Sequence, residues 1–298
     1  MPLVALNGIR IHLDVAGPDD GPLAVLVMGT GSRGRVWSLH QVPALVAAGH
    51  RVATFDNRGI APTDECADGF TIDDMVRDTA AVIEHLGGGP AAVIGTSLGA
   101  RITQELALAR PDLVRCAVAL AAHARIDPVG RTLSAGERAL YDAGVVLPPR
   151  YHAAVTAHLN LSPATMRDEV AVQDWLDLYE LTGSRVTPGV RAQLALGEDV
   201  DRRVAYPAIR VPLLAVGFAD DRLIAPHLAA EVAAIVPGAR HVEIADCGHL
   251  GYLERPEAVN AVILDFLAQR GSAGLCSPQP LGGSGCAQAA VHASHSRA

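Results

Sequence analysis

Residues 95–99 read Gly95-Thr96-Ser97-Leu98-Gly99, and their surroundings constrain the fold more than any other stretch of the chain. Before them, Ala91-Ala92-Val93-Ile94 is apolar enough for a strand covered on both faces; after them, residues 100–109 carry helical spacing. A serine between such a strand and such a helix, with glycine two residues to either side, is the nucleophile-elbow pattern. Its tight turn brings strand and helix backbones close together, so only small residues fit at the flanking positions. The N-terminus of the following helix presents free N–H groups and a partial positive charge, which favour a developing anion.

The same alternation runs along most of the chain. Residues 3–15 read as a hairpin turning at Asn7-Gly8, and apolar, strand-like runs follow at 23–28, 52–55, 114–120, 212–216 and 241–244. The clearest helix starts at Thr71-Ile72-Asp73-Asp74, a capping-box-like sequence, and stops at Gly87-Gly88. Alternating strands and helices predict an α/β fold: a mostly parallel twisted sheet with helices on both faces. Residues 124–206 break the rhythm, with helical segments at 135–143, 151–161, 163–181 and 189–196 and no clear strand. They read as a helical cap inserted over the C-terminal edge of the sheet. The expected plan is a core of residues 1–123 and 207–270, a cap of 124–206, and a disordered tail of 271–298, rich in Gly, Ser, Ala and Gln.

Composition narrows the function classes. Half of the 298 residues are hydrophobic and 19% are charged, enough apolar material for a sizeable core. A net charge of −8 argues against nucleic acid as a partner. No apolar run approaches the ~20 residues that span a bilayer, and no secretory leader is visible at the N-terminus. The five cysteines are odd in number and lack metal-site spacing, which points to a reducing, cytoplasmic setting. Nothing in the sequence suggests a metal, and the expected partner is a small-molecule substrate.

A serine hydroxyl is a weak nucleophile near neutral pH and needs a base oriented by an acid. On this architecture the chain order should be serine, acid, histidine, each on a loop after a strand. His249, in Ala245-Asp246-Cys247-Gly248-His249-Leu250-Gly251, follows a predicted strand and has flexible glycines around it, so it is the candidate base. The acid should lie in Gly217-Phe218-Ala219-Asp220-Asp221-Arg222. Adjacent residues on an extended loop point in different directions, so only one of Asp220 and Asp221 can face the imidazole. Asp246 is a weaker candidate that reads as a turn residue. The oxyanion needs two backbone N–H donors, expected from Leu98 and from Thr30 in the loop Met28-Gly29-Thr30-Gly31-Ser32-Arg33-Gly34. That loop lacks the lysine of a P-loop and the spacing of G-x-G-x-x-G, so phosphate binding is disfavoured. Cys247 reads as a buried thiol rather than a nucleophile.

Taken in order, the Ser97 elbow, the Gly29 loop, Asp56-Asn57-Arg58-Gly59, the 217–221 segment and the Gly248-His249 loop resemble the α/β-hydrolase superfamily over residues 3–269. Details such as Phe55-Asp56-Asn57-Arg58-Gly59-Ile60 and Gly251-Tyr252-Leu253-Glu254-Arg255-Pro256-Glu257 are similar to one bacterial branch. That branch is the small serine hydrolases often labelled cofactor-free haloperoxidases or non-haem peroxidases. The resemblance implies a Ser-Asp-His triad, a helical cap and no metal or organic cofactor. The 28 residues from Asp221 to His249 also match that branch and favour Asp221 as the acid. Two stretches depart from the family's pattern. Met28 stands where many relatives carry histidine, and Ile60-Ala61-Pro62-Thr63 replaces the usual G-x-G-x-S continuation.

Aromatic residues make up only 4% of the chain, yet Tyr141, Tyr151, Trp175, Tyr179 and Tyr206 all fall within 124–206. Packing between cap helices explains any one of them. Together, Tyr141, Tyr151, Trp175 and Tyr179, with Gly29, Trp37 and Leu250, are the candidate wall of an apolar substrate pocket. Trp37 also suits packing beneath the glycine-rich loop. The expected reaction is cleavage of an ester, thioester or lactone of a small, largely apolar molecule through an acyl-enzyme. The same triad can serve C–C bond hydrolysis, or a non-hydrolytic elimination or cyclisation; a ligand-binding receptor with a vestigial site is the remoter alternative, and an intact triad argues against it.

Overall fold

A computed structural model of the chain describes residues 2–184, 186–196 and 201–272. Its sheet is built from β1 (Leu3–Leu6), β2 (Ile9–Ala16), β3 (Leu23–Val27), β4 (Arg51–Phe55), β5 (Ala91–Thr96), β6 (Val114–Leu120), β7 (Leu213–Phe218) and β8 (Arg240–Ile244). The strands lie in the order β1-β2-β4-β3-β5-β6-β7-β8. β1 and β2 form the expected hairpin, with Leu6 opposite Ile9 and both turn residues at positive φ (Asn7 46°, Gly8 78°), which the right-handed strand twist favours. β2 joins β4 antiparallel, and every later pairing is parallel.

Helices cover both faces. α1 (Gln41–Ala47), α2 (Ile72–His85), α3 (Leu98–Ala109), α9 (His227–Ile235) and α11 (Pro256–Ser272) are the core helices, and α10 (Gly251–Glu254) is a single turn. Side-chain alternation along the strands divides the apolar residues between two cores. Val25, Val27 and Val93 pack with α2, α3 and α9 through residues such as Ile83, Ile102 and Val232. Ala24, Leu26 and Ile94 face the other way, onto Leu45 of α1 and Ile263 and Phe266 of α11. Leu26 and Ile94 are wholly buried, and each such side chain contributes about 1.5–3 kcal/mol. α2 begins with the capping box read from its sequence. Asp74 N–H donates to Thr71 Oγ1 at 3.2 Å, and the Asp74 carboxylate accepts from Thr71 N–H at 2.8 Å.

Strand order reverses beside β3, whose neighbours β4 and β5 run on to opposite edges of the sheet. A crevice opens at the carboxyl ends of strands around such a switch point, and the loops after β3 and β5 meet there. Over it stand the helices inserted between β6 and β7: α4 (Pro128–Asp142), α5 (Pro149–Asn160), α6 (Pro163–Arg167), α7 (Glu169–Thr182) and α8 (Pro188–Ala195). The continuous helix expected over 163–181 is divided at Asp168, whose carboxylate accepts from Val170 and Ala171 N–H and starts α7 anew. Ala153, Ala157, Leu161 and Tyr179 form a small core within this layer. Tyr206, by contrast, is buried in the core of the sheet and donates its hydroxyl to Glu105 at 3.1 Å. No helix among the described residues is long and apolar enough to cross a membrane.

The expected disordered tail began at residue 271, but α11 continues to Ser272, anchored by Val259, Ile263, Phe266 and Leu267 at helical spacing. Residues 273–298 of that stretch lie outside the described residues.

Candidate active site

Ser97 ends β5 with φ 55° and ψ −117°, a left-handed conformation that costs a non-glycine residue about 1–3 kcal/mol. Backbone bonds on both sides hold it there: Ser97 N–H donates to Leu120 O at 2.9 Å, and Ser97 O accepts from Arg101 N–H at 3.1 Å. The flanking glycines are a steric requirement. A Cβ on Gly95 would stand 2.1 Å from Gly99 O, and one on Gly99 would stand 2.1 Å from Val27 O. Strand and helix therefore close tightly enough to present the Ser97 side chain at the crevice.

The loop after β3 lies directly against this turn, where a Cβ on Gly29 would be 3.3 Å from Ser97 Cβ. Asn57 Nδ2 supports the loop by donating to Met28 O at 2.8 Å. From the cap, Gln193 of α8 accepts from Gly31 N–H at 2.9 Å through Oε1 and donates to Arg58 O at 2.9 Å through Nε2. α8 can come this close because glycine meets glycine: a Cβ on Gly189 would fall 2.2 Å from Gly59 O. Thr30 and Leu98 both face the crevice, and neither N–H has a hydrogen-bond partner among the described residues. Two free amides beside a serine, one at a helix N-terminus and one in the loop after β3, are the donors an oxyanion requires.

The loops after β7 and β8 are stitched together by Ala219 N–H to Ile244 O (2.9 Å) and Asp220 N–H to Cys247 O (3.0 Å). This register points Asp221 inward and Asp220 outward. Asp221 Oδ2 lies 2.8 Å from His249 Nδ1, while Oδ1 accepts from Leu223 N–H (2.8 Å) and Ile224 N–H (2.9 Å). Its side chain is fully buried. Asp246 occupies a positive-φ turn (55°) and makes no hydrogen bond to His249. Glu254 secures the histidine loop, accepting from Gly248 N–H at 2.5 Å and from Ser162 N–H and Oγ–H, each at 2.9 Å. Gly248 fits only as glycine, since a Cβ would lie 2.3 Å from Asn160 O. Cys247 is buried; burial pushes its thiol up to about 12, and Sγ–H donates to Ile244 O, so it remains protonated.

Ser97 and His249 share the wall of one cavity of about 690 Å³ between sheet and cap. No hydrogen bond joins Ser97 Oγ to His249, a contact that often tightens only when substrate is bound. Of the remaining candidates, Gly29, Tyr141 and Leu250 also line the cavity. Trp37, Tyr151, Trp175 and Tyr179 do not. Trp37 is wholly buried, its ring 4.9 Å from that of Tyr252, beneath the loop. Tyr151 is 59% exposed on the outside of α5. Trp175 and Tyr179, with ring centroids 5.7 Å apart, belong to the cap's own core. The wall is instead built from aliphatic residues such as Leu133, Leu140, Val155 and Val190.

Four polar residues of the site were not singled out by the sequence: Arg101, His123, Gln193 and Glu254. Arg101 carried the one usable signal, a cation one helical turn after the elbow serine. His123 lines the cavity, is buried, and donates from Nδ1–H to Ala121 O at 3.2 Å; burial brings its imidazole down to about 4. It is a neutral group at physiological pH. Among the described residues no cluster of His, Cys, Asp and Glu is arranged to hold a metal ion.

Comparison with known proteins agrees with this fold. A family described as alpha/beta hydrolase fold matches residues 25–256. The chain is 47% identical over 248 residues to "Putative non-heme bromoperoxidase BpoC" of Mycobacterium tuberculosis, covering 83% of this chain and 94% of that protein. The crystal structure of that bromoperoxidase superposes with a TM-score of 0.83, over 87% of this chain and 96% of the other. "Putative carbamate hydrolase RutD" of Azorhizobium caulinodans is 30% identical over 273 residues, 90% of this chain and 99% of its own length. The enol-lactonase of Burkholderia xenovorans is 25% identical with a TM-score of 0.77, covering 90% of this chain and all of the other.

Proposed function

Starting from the fact that this chain belongs to the alpha/beta hydrolase fold family, we propose that it is a serine hydrolase with Ser97, His249 and Asp221 as its triad. Its substrate is an ester, thioester or lactone of a small, largely apolar molecule. The observation that carries this reading is the 2.8 Å contact between buried Asp221 and His249 on the cavity wall that also presents Ser97. Asp221 fixes the proton on Nδ1, leaving Nε2 as the base. His249 then takes the Ser97 proton as Oγ attacks the carbonyl carbon, and the oxyanion is held by the N–H groups of Thr30 and Leu98. His249 returns the proton to the leaving group, and water activated by the same imidazole releases the acid from Ser97. The aliphatic wall supplies the preference for an apolar body, and the enol-lactonase and carbamate-hydrolase names of two relatives concern acyl chemistry of this kind.

The bromoperoxidase name of the 47% relative fits the same site. Hydrogen peroxide taking the place of water at the acyl-enzyme would release a peroxy acid, an oxidant of halide.

Fluorophosphonate labelling tests the proposal. Wild type should be labelled at Ser97 and should hydrolyse 4-nitrophenyl esters, whereas Ser97→Ala should do neither. Equal labelling of the two proteins would overturn it. With a natural substrate, oxygen from isotope-labelled water should enter the acid product; its absence would move the reaction to elimination or cyclisation.

A further inference from the structure

Arg101 is a charged residue of the cavity to which the triad chemistry gives no task. Arg101 lies in the first turn of α3, four residues after Ser97 and on the same side of the helix. It lines the cavity and is only 9% exposed. Its Nη1 donates to Leu196 O, but its Nε is buried with no partner, and Nη2 makes no hydrogen bond to any described residue. The carboxylate nearest along the helix, Glu105, is committed elsewhere. It takes a two-pronged pair from Arg202, Nε to Oε1 at 2.7 Å and Nη2 to Oε2 at 2.8 Å, and also the Tyr206 hydroxyl.

None of the other described titratable groups facing the cavity is hydrogen-bonded to Arg101. His123 and His152 are both biased toward the neutral form by burial. Glu137 of α4, which also lines the cavity, is biased toward its protonated form by burial and makes no ion pair with Arg101. Arginine stays protonated even where burial disfavours its charge, as it does at Arg101. A buried guanidinium with free donors and no carboxylate hydrogen-bonded to it among the described residues is costly unless something brings an anion to it.

We propose that Arg101 is a substrate-binding residue that selects acyl substrates bearing a carboxylate, one helical turn from the reacting carbonyl. The planar guanidinium presents its remaining donors to one oxyanion, while the aliphatic wall takes the rest of the molecule. The substrate class is thus refined from a small apolar ester to a small ester or lactone that is apolar except for one carboxylate. This rests on the serine-hydrolase reading for its chemistry, but the anion site can be tested without turnover.

Two pairs of esters read the preference directly. Mono-4-nitrophenyl glutarate is compared with its methyl ester, and 4-acetoxybenzoate with methyl 4-acetoxybenzoate, placing the carboxylate on the acyl or the leaving side. Wild type should favour the acid of at least one pair in kcat/KM by roughly 10- to 100-fold, the span expected for a hydrogen-bonded charge. Arg101→Gln should collapse that ratio toward one. If this variant does not fold, Arg101→Met, which keeps the length of the stem, replaces it. A wild type that prefers neither acid overturns the proposal whatever the variants do, and so does a preference that survives loss of the guanidinium. Both outcomes leave the hydrolase reading intact. If no ester is turned over, that reading fails instead. The anion site is then judged by titrating 4-hydroxybenzoate and glutarate into Ser97→Ala with and without Arg101→Gln. Binding weakened about tenfold or more supports the site, and equal binding overturns it.

Discussion

Asp221 and His249 are locked together from both ends of their contact. The 2.8 Å bond from Asp221 Oδ2 to His249 Nδ1 uses one carboxylate oxygen, and the backbone N–H groups of Leu223 and Ile224 hold the other. The Asp221 side chain is fully buried, so water does not compete for its oxygens. On the other side, Glu254 ties the loop of His249 to the cap through Gly248 and Ser162. The imidazole is thereby oriented before any substrate arrives, which is what a general base requires.

Replacing Asp221 with asparagine separates orientation from electrostatics. The amide oxygen can still accept from Leu223 and Ile224 N–H, so the fold should persist, but the amide NH₂ now faces Nδ1. His249 is driven to carry its proton on Nε2, where it cannot accept one from Ser97. We expect Asp221→Asn to lower kcat on a 4-nitrophenyl ester by about 10⁴-fold, with the melting temperature little changed. Asp220→Asn should leave kcat within about threefold, since that side chain does not meet the imidazole. A large loss for Asp220 and a small one for Asp221 would reverse the assignment.

How much of this was legible beforehand depended on whether a residue's role was set by local backbone geometry or by packing at a distance. Gly95, Ser97 and Gly99 could be read because the turn itself demands them, and Gly248-His249 because a tight loop leaves its mark in glycine. The choice between Asp220 and Asp221 was not a local matter; it was made by the stitching of Asp220 to Cys247 across two loops. The cavity wall was least legible. Leu133, Val155 and Val190 have the helical spacing of any core residue, so nothing in the sequence tells a wall from an interior. The aromatics that looked like a pocket, Trp175 and Tyr179, fill the cap instead. Gln193 resembles a solvated helix residue until α8 docks and its amide meets both Gly31 and Arg58.

Glu254 is the second place where a substitution is informative. Its carboxylate accepts three hydrogen bonds, from Gly248 N–H, Ser162 N–H and Ser162 Oγ–H. Glutamine keeps the shape but offers one oxygen, and its NH₂ must then confront a backbone N–H. Glu254→Gln should lose about 1–3 kcal/mol of stability by urea denaturation, the cost of one buried donor left unpaired. Because the loosened loop carries His249, kcat should fall about tenfold while KM moves little. A stability loss with kcat unchanged would reduce Glu254 to an anchor between cap and core.

His123 makes stability depend on pH in a defined direction. An unperturbed imidazole titrates near 6.5, and burial in the cavity wall brings His123 down to about 4. Between those values the unfolded chain binds a proton that the folded chain refuses, so folding stability falls as pH drops through this window and is fully retained above it. His50 and His152 are also shifted down by burial and push the same way, so the contribution of His123 must be read by difference. Asparagine at 123 can keep a donor near Ala121 O without titrating. Between pH 7 and pH 4.5, wild type should lose roughly 2–3 kcal/mol more unfolding free energy than His123→Asn, measured by urea titration at each pH. Parallel stability curves for the two proteins would mean that the folded chain accepts the proton at His123 as readily as the unfolded one does.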